Sequence, residues 1–393
     1  MKRAFTLVPL FLAVPLFVGC GSSSKSTSTP DVTGAEIAVA AGLQALADGD
    51  VAGANAQFRT AVAKDPSNPR GNIGAAVTEV ALVESDPDVN RILGDLGITG
   101  VPPIPSPLGA FGPRERSIGR FSLVPRHDYD PMRIGRSVFG LLLRATANPP
   151  AVSEIQDVIK TRIMSRLSYA ESRLNVVEQN PNFVWKIPPA VTGEPDSVEV
   201  DLGDVLLVDA VINLVQGPLG LVVAYNFDAD YENLDAEMLL APGSPWATLH
   251  PDGAAQLSEA YTSLLTADTR IHAAEQSIQG ETDEQSDDLV PQSVDLSEII
   301  AGLDEMANAL EHQITVSVRD YQGGNLDVEL SAGVFFTSPI QDWKPKLPFH
   351  TFDPTTHDPI ITDPLGFPDP RFNGLFPTMT NALWQQIVGP ISP

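Results

Sequence analysis

The residues best equipped for chemistry stand in a proline-rich run near the C-terminus. His350 and His357 flank Asp353, and Asp-Pro pairs follow one another at Asp353, Asp358, Asp363 and Asp369. Imidazole and carboxylate both ligate cations, and proline fixes the backbone beside each carboxylate, so Asp353, His357, Asp358 and Asp363 form a candidate metal set. Zinc is normally held by ligands closer together on a firmer scaffold. Calcium suits carboxylate oxygens better, although the alternate-position spacing and glycine of a helix-loop-helix calcium site are missing. Asp228 with Asp230 and Asp287 with Asp288 are pairs of the kind used in acid–base work, but such pairs arise by chance among 50 acidic residues. His127, His250 and His272 carry no neighbouring signature and read as solvated or structural. The sequence contains no Gly-rich phosphate loop ending in Lys-Ser/Thr, no Gly-x-Ser-x-Gly elbow and no His-Glu-x-x-His pair. The expectation is a protein that is not an enzyme and has no resident cofactor, with calcium the cation the strap would take if it takes one.

The remaining reactive group is the only thiol in 393 residues, Cys20. Lys2 and Arg3 precede an apolar run from Ala4 to Val18 and then Gly19, the charged, apolar, small order of a secretory leader. Broken by Pro9 and Pro15, the run falls short of the ~20 residues a spanning helix needs. One cysteine cannot form an intrachain disulfide, so an exported chain of this size relies on its core. Val18-Gly19-Cys20 resembles the lipobox of bacterial lipoproteins, with Phe17 where leucine is usual and Leu16 one place earlier. The resemblance implies cleavage before Cys20, acylation of Cys20 by chains such as palmitate, and an exported, membrane-anchored lipoprotein. Gly21 stands where an aspartate would resemble an inner-membrane retention signal, which implies the outer membrane in a cell with two. Residues 1–19 are then the signal peptide and 20–33 a flexible Ser/Thr tether.

The chain carries 24 basic and 50 acidic side chains, a formal charge of −26, and loss of Lys2 and Arg3 leaves 22 basic. Such a balance argues against nucleic acid as a partner. A basic belt from Arg114 to Arg173 interrupts it, with eleven basic residues against six acidic ones. The belt is expected to pair internally with acidic neighbours such as the run from Glu281 to Asp288.

Residues 35–68 place small and apolar side chains every three or four positions on either side of Gly49-Asp50, the pattern of an antiparallel helical hairpin. Gly42, Ala45, Gly49, Ala54, Phe58, Ala61 and Pro66 stand where the tetratricopeptide repeat keeps glycine, alanine, an aromatic and a closing proline, and the segment resembles one such unit. A second unit would begin near Pro69, giving 34–97 as repeats, 98–130 as a Pro/Gly-rich loop, 131–343 as a mainly helical core domain with β-hairpins, and 344–393 as a Pro-rich strap with a short terminal helix. Within the core, a helix capped by Ser153 runs to Asn180, hairpins fall near 183–202 and around Gly323-Gly324, and 204–228 reads as two buried helices meeting at Gly217-Pro218. Helices are expected over 254–277 and 293–312, and strap phenylalanines would pin it to the body. The fold class is mostly α, with stacked antiparallel helical hairpins, one or two small β-hairpins and an extended C-terminal strap.

These features together favour a lipid-anchored cell-envelope protein acting as a non-catalytic scaffold or protein- or peptide-binding module, with an envelope protein or peptide as partner. Two alternatives are an envelope enzyme or small-molecule- or metal-binding lipoprotein, and an accessory to export or assembly of surface components, the last by analogy of architecture alone.

Overall fold

The computed structural model describes residues 29–96, 150–229, 235–282, 286–320, 322–348, 350–352, 359–361 and 366–388. They form a mostly helical body with three two-stranded antiparallel sheets.

The first helices begin with one repeated device. Asp31, Asp50 and Asn68 each accept the backbone N–H of the glycine three residues on, at 2.8, 2.8 and 2.7 Å. These caps start α1 (Val32–Ala47), α2 (Val51–Lys64) and α3 (Pro69–Glu84). Between α1 and α2 the chain turns at Gly49 (φ +77°), whose N–H reaches Leu46 O at 3.0 Å while Asp50 N–H reaches Ala45 O at 2.8 Å. This crossed pair of bonds is the Schellman closure, which needs the left-handed backbone glycine allows. Phe58 is fully buried between the helices, and its ring occupies the space a Cβ on Gly42 or Gly74 would take.

The second unit departs from the repeat pattern. Its α4 (Pro87–Asp95) has only nine residues, and the helix that packs along α3 comes from much later in the chain. That helix, α6 (Ser165–Val177), follows α5 (Val152–Val158) through a π-helical turn over Ile159–Met164. Ile155, Ile159, Ile163 and Leu167 recur at steps of four, wider than the 3.6 of an α-helix, and a π turn accommodates the drift by winding more residues per turn. Ser153 is not the N-cap. Ala151 holds that position, and the Asp228 carboxylate accepts from Ser153 N–H at 2.7 Å, so a distant acid caps the helix.

Strands β1 (Val184–Ile187) and β2 (Val198–Asp201) pair with Trp185 opposite Val200 and are linked by the turn α7 (Pro189–Thr192). The expected pair of helices over 204–228 is one helix, α8 (Leu202–Ala224), continuous through Pro218. Proline removes one backbone bond there, but packing holds the helix together on either side. Gly203, Leu206, Ala210, Asn213, Gly217, Gly220 and Ala224 are all buried at alternating steps of three and four, and they meet a matching stripe of Leu257, Ala260, Leu264, Ala267, Ile271, Ala274 and Ile278 on α10 (Gly253–Gly280). A Cβ on Gly217 would fall 2.4 Å from Leu264 Cδ2, so the two backbones come as close as a coiled-coil seam of small residues permits. Among the described residues α8 is the helix long and apolar enough to cross a membrane, with mean hydropathy 1.9 over its best window, and half of that window is buried in the protein.

A short α9 (Ala236–Leu240) precedes α10, and α11 (Ser297–Glu311) packs on α10 beyond it. It leads into the hairpin of β3 (Ile314–Arg319) and β4 (Asn325–Leu330), turning at Gly323 (φ +88°) as the sequence implies. After α12 (Ala332–Thr337), the strap contains a third hairpin, β5 (His350–Phe352) with β6 (Pro359–Ile361), and ends in α13 (Asn381–Val388), where Thr380 Oγ1 accepts from Leu383 N–H at 3.3 Å. Phe367, Phe372 and Phe376 cluster on Trp384, and Phe372 continues through Trp343 to Tyr225 at the end of α8. The Lys344 ammonium donates to Ser244 O and Trp246 O at 2.8 and 2.7 Å and fixes the strap's root against the α8–α10 connection.

Phe58→Ala should destabilise the protein by about 3–5 kcal/mol, because two glycines and Trp185 shape the site around the ring and cannot collapse into the void. Urea unfolding followed by circular dichroism reads this directly, and a loss below about 1 kcal/mol would contradict the packing described.

Candidate functional site

The most unusual chemistry lies where α6, α8 and α10 meet. Polar side chains recur at steps of three or four along each helix: Ser168, Glu171, Asn175 and Glu178 on or just beyond α6, and Asp209, Asn213 and Gln216 on α8, facing Ser263 and Arg270 of α10. Asp209 is wholly buried, and its Oδ2 accepts from Arg270 Nε at 2.9 Å. Arg270 Nη2 bridges to Glu178 Oε2 at 2.7 Å and donates to Asn175 Oδ1 at 2.9 Å. Gln216 completes the seam in the amide orientation that satisfies both its ends: Nε2 donates to Glu171 Oε2 at 3.3 Å and Oε1 accepts from Ser168 Oγ at 3.3 Å.

Two carboxyls thus share one guanidinium, and a third, Glu171, lies within reach of its charge. Burial, then the Asp209 charge, pushes Glu178 up to about 7, with Arg270 opposing and a hydrogen bond to Asp209 adding to the rise. Burial also raises Glu171, reinforced by Asp209, and raises Asp209 itself against the pull of Arg270. Glu178 Oε1 and Asn213 Oδ1 are buried without a hydrogen-bond partner. A proton on Glu178 gives its carboxyl a donor for Asp209, which is the physical sense of the raised value. The seam can therefore take up and release a proton near neutral pH.

A second cluster lies on the opposite side of α10. His272 Nε2 is 2.7 Å from Asp304 Oδ1 of α11 and 4.0 Å from Asp268 Oδ1, one helical turn earlier on α10. His272, which carries no neighbouring signature in the sequence, has its partner Asp304 32 positions away, and the i, i+4 pair with Asp268 is the local signal that could have pointed to it. The seam residues were visible only as a heptad spacing of polar side chains in otherwise apolar helices.

The residues singled out for the repeat fall as follows. Gly42, Ala54, Phe58 and Ala61 are buried, Ala45 is half-buried, Gly49 makes the turn and Pro66 lies just after α2. One apolar face of α1 to α3, lined by Leu43, Phe58, Ile73 and Val77, is covered by Trp185, Ile187 and Val191 of the same chain. The cavity left there is about 20 Å³, room for about one water. Cys20, Asp353, His357, Asp358 and Asp363 lie outside the described residues.

Of the basic belt, the residues before 150 lie outside the described residues; Lys160, Arg162 and Arg166 pair internally with acids, though with others than the 281–288 run. Arg166 meets Glu79 and Asp86 at 2.8 and 3.4 Å, Arg162 meets Asp88 at 2.8 Å and Lys160 meets Asp252 at 3.0 Å. Within the 281–288 run, Asp287 pairs with Lys186 of β1 at 2.8 Å rather than with the belt. Helix α6 lies beside α3 and the π turn beside α4, which puts those acids nearest. No known protein family, curated protein or solved structure matches the chain.

Two outcomes follow from the seam. Arg270→Met leaves Asp209 buried without its counter-charge and should cost about 3–5 kcal/mol, part of it recovered by adding Asp209→Asn; equal stability of Arg270→Met and wild type in urea titrations would overturn the assignment. Because the folded value of Glu178 lies above its ordinary 4.5, its contribution is fully present below about pH 4.5 and is lost as pH rises through about 7. Glu178→Gln, which keeps the hydrogen-bonding shape without the charge, should therefore match wild type near pH 4.5 and exceed it at pH 8 by on the order of 1 kcal/mol after allowance for solvent screening. Melting curves across that range check the sign.

Proposed function

We propose that the protein is a lipid-anchored cell-envelope lipoprotein that acts as a non-catalytic scaffold, engaging a helical segment of an envelope protein partner through the outer face of α1. The observation that carries this reading is the state of that face. Ile37 is 67% exposed with Ala40 and Ala41 exposed beside it, Val32 is 56% exposed at the start of the helix, and Glu36 is the only charged residue of the helix. In stacked helical hairpins each outer face is covered by the next helix, and α1, first in its stack, has no such cover among the described residues. Large side chains held in water on a rigid helix suit an amphipathic partner helix, which would bury its own apolar stripe in the same contact. The Ser/Thr tether that follows Cys20 ends one turn before Ile37, so an acylated Cys20 would keep α1 near membrane-bound partners.

A photo-crosslinking residue at position 37 should form an adduct with one defined envelope protein in intact cells, and the same residue at exposed Thr269 on α10 should not. Ala40→Asp beside it should reduce the adduct about tenfold or more, since a charge placed in an apolar contact costs upwards of 1.4 kcal/mol. Cys20→Ala should move the protein from the membrane to the soluble fraction. Equal adducts at both positions, or membrane attachment unchanged in Cys20→Ala, would refute the reading.

A further inference from the structure

We propose that Asp268 and His272 of α10 and Asp304 of α11 form a binding site for a divalent transition cation, of which zinc is the test case, linking the two helices. The two α10 residues stand one turn apart on one face, and Asp304 arrives from the neighbouring helix, so the ligands come from firm elements at the spacing that lets two side chains of a helix grip one ion. One donor atom from each of the three lies within 4.8 Å of the others. Bonds of about 2.1 Å in a tetrahedral site place ligand atoms roughly 3.4 Å apart, and the present separations of His272 Nε2 from Asp304 Oδ1 (2.7 Å) and from Asp268 Oδ1 (4.0 Å) bracket that value. Small side-chain rotations suffice to bring all three onto one ion, leaving a fourth position open.

An independent observation points the same way. Asp268 Oδ1 is shut off from solvent and has no hydrogen-bond partner, although its side chain as a whole is 21% exposed. A carboxylate oxygen left in that state is destabilising, and a cation beside it removes the penalty. The surroundings also lack a competitor. Among the described residues neither Asp268 nor Asp304 pairs with a lysine or arginine, while Glu275 of α10 and Glu311 of α11 add negative charge. His272 is held above its ordinary value chiefly by the Asp304 hydrogen bond, with desolvation opposing and Asp268 and Glu275 assisting, so cation binding must displace a proton from it and weakens as pH falls. Imidazole with two carboxylates suits zinc and its first-row neighbours better than calcium, whose sites use oxygen alone. This places a metal on the helical body and is independent of the scaffold reading.

The test is titration of the chelator-treated, full-length protein with zinc chloride by calorimetry, with melting temperature read in parallel. One equivalent per chain and a rise of several degrees are expected, and binding should weaken about tenfold or more between pH 7.5 and pH 5.5. His272→Ala and Asp304→Asn, both at exposed positions, should each weaken zinc at least tenfold while leaving the far-ultraviolet circular dichroism unchanged, and His357→Ala should leave it as in wild type. Zinc affinity unchanged in His272→Ala, no binding at 100-micromolar zinc (roughly 5.5 kcal/mol), or loss of the site in His357→Ala would each overturn the proposal.

Discussion

A carboxylate sits wholly buried on the packed face of α8, and the body is arranged around its neutralisation. Helix α8 contributes to three of the apolar clusters, through Val205 and Ile212, through Ala224, and through Ala210. Leaving Asp209 there alone would cost several kcal/mol, and the Arg270 guanidinium offsets it at 2.9 Å. The same guanidinium also holds Asn175 and Glu178, so one side chain of α10 sets the position of α6 as well as α8. The apolar seam between α8 and α10 repeats every seven residues and would tolerate a slip by one heptad. The ion pair would not, because Asp209 and Arg270 each occur once along that seam.

Helix α6 joins this centre to the N-terminal repeat by carrying opposite charges on two faces. Arg166 and Arg173, seven residues apart, face α3 and the start of α4: Arg166 reaches the nearly buried Glu79 of α3 and Asp86, the α4 cap, and Arg173 approaches Asn72 at 3.5 Å. Glu171 and Glu178, also seven apart, face α8 and α10. Glu79 additionally takes a hydrogen bond from Asn55 of α2 at 3.1 Å. Polar contacts therefore tie the first hairpin to one face of α6, and a separate set ties the opposite face to the seam.

Much of this organisation was legible in the residues. The Gly49-Asp50 turn, the Phe58 packing site, the two principal hairpins and the α10 helix all follow from local periodicity and turn chemistry, where the signal lies within a few positions of its effect. What the sequence concealed was long-range. Nothing near Pro69 indicates that α3 is covered by α6, and no local motif ties Asp209 to Arg270 across 61 residues. The bend expected at Gly217-Pro218 shows the opposite error: a local helix-breaking signal was overridden because Leu264 and Ala260 pack into the gaps the glycines leave. The polar residues of the apolar helix α8 mark where three helices converge.

The late arrival of α6 has a consequence for biosynthesis. Helix α3 has twelve buried residues of its sixteen, and part of their cover is supplied by a segment more than 80 positions downstream. As the chain leaves the ribosome, α1 to α3 emerge long before that cover exists, at a synthesis rate of about 5–20 residues per second. For those seconds the nascent protein presents sticky, unfinished surface that a holdase would recognise, so its yield in a cell is set by the shielding of an early helix and not only by the thermodynamics of the completed body.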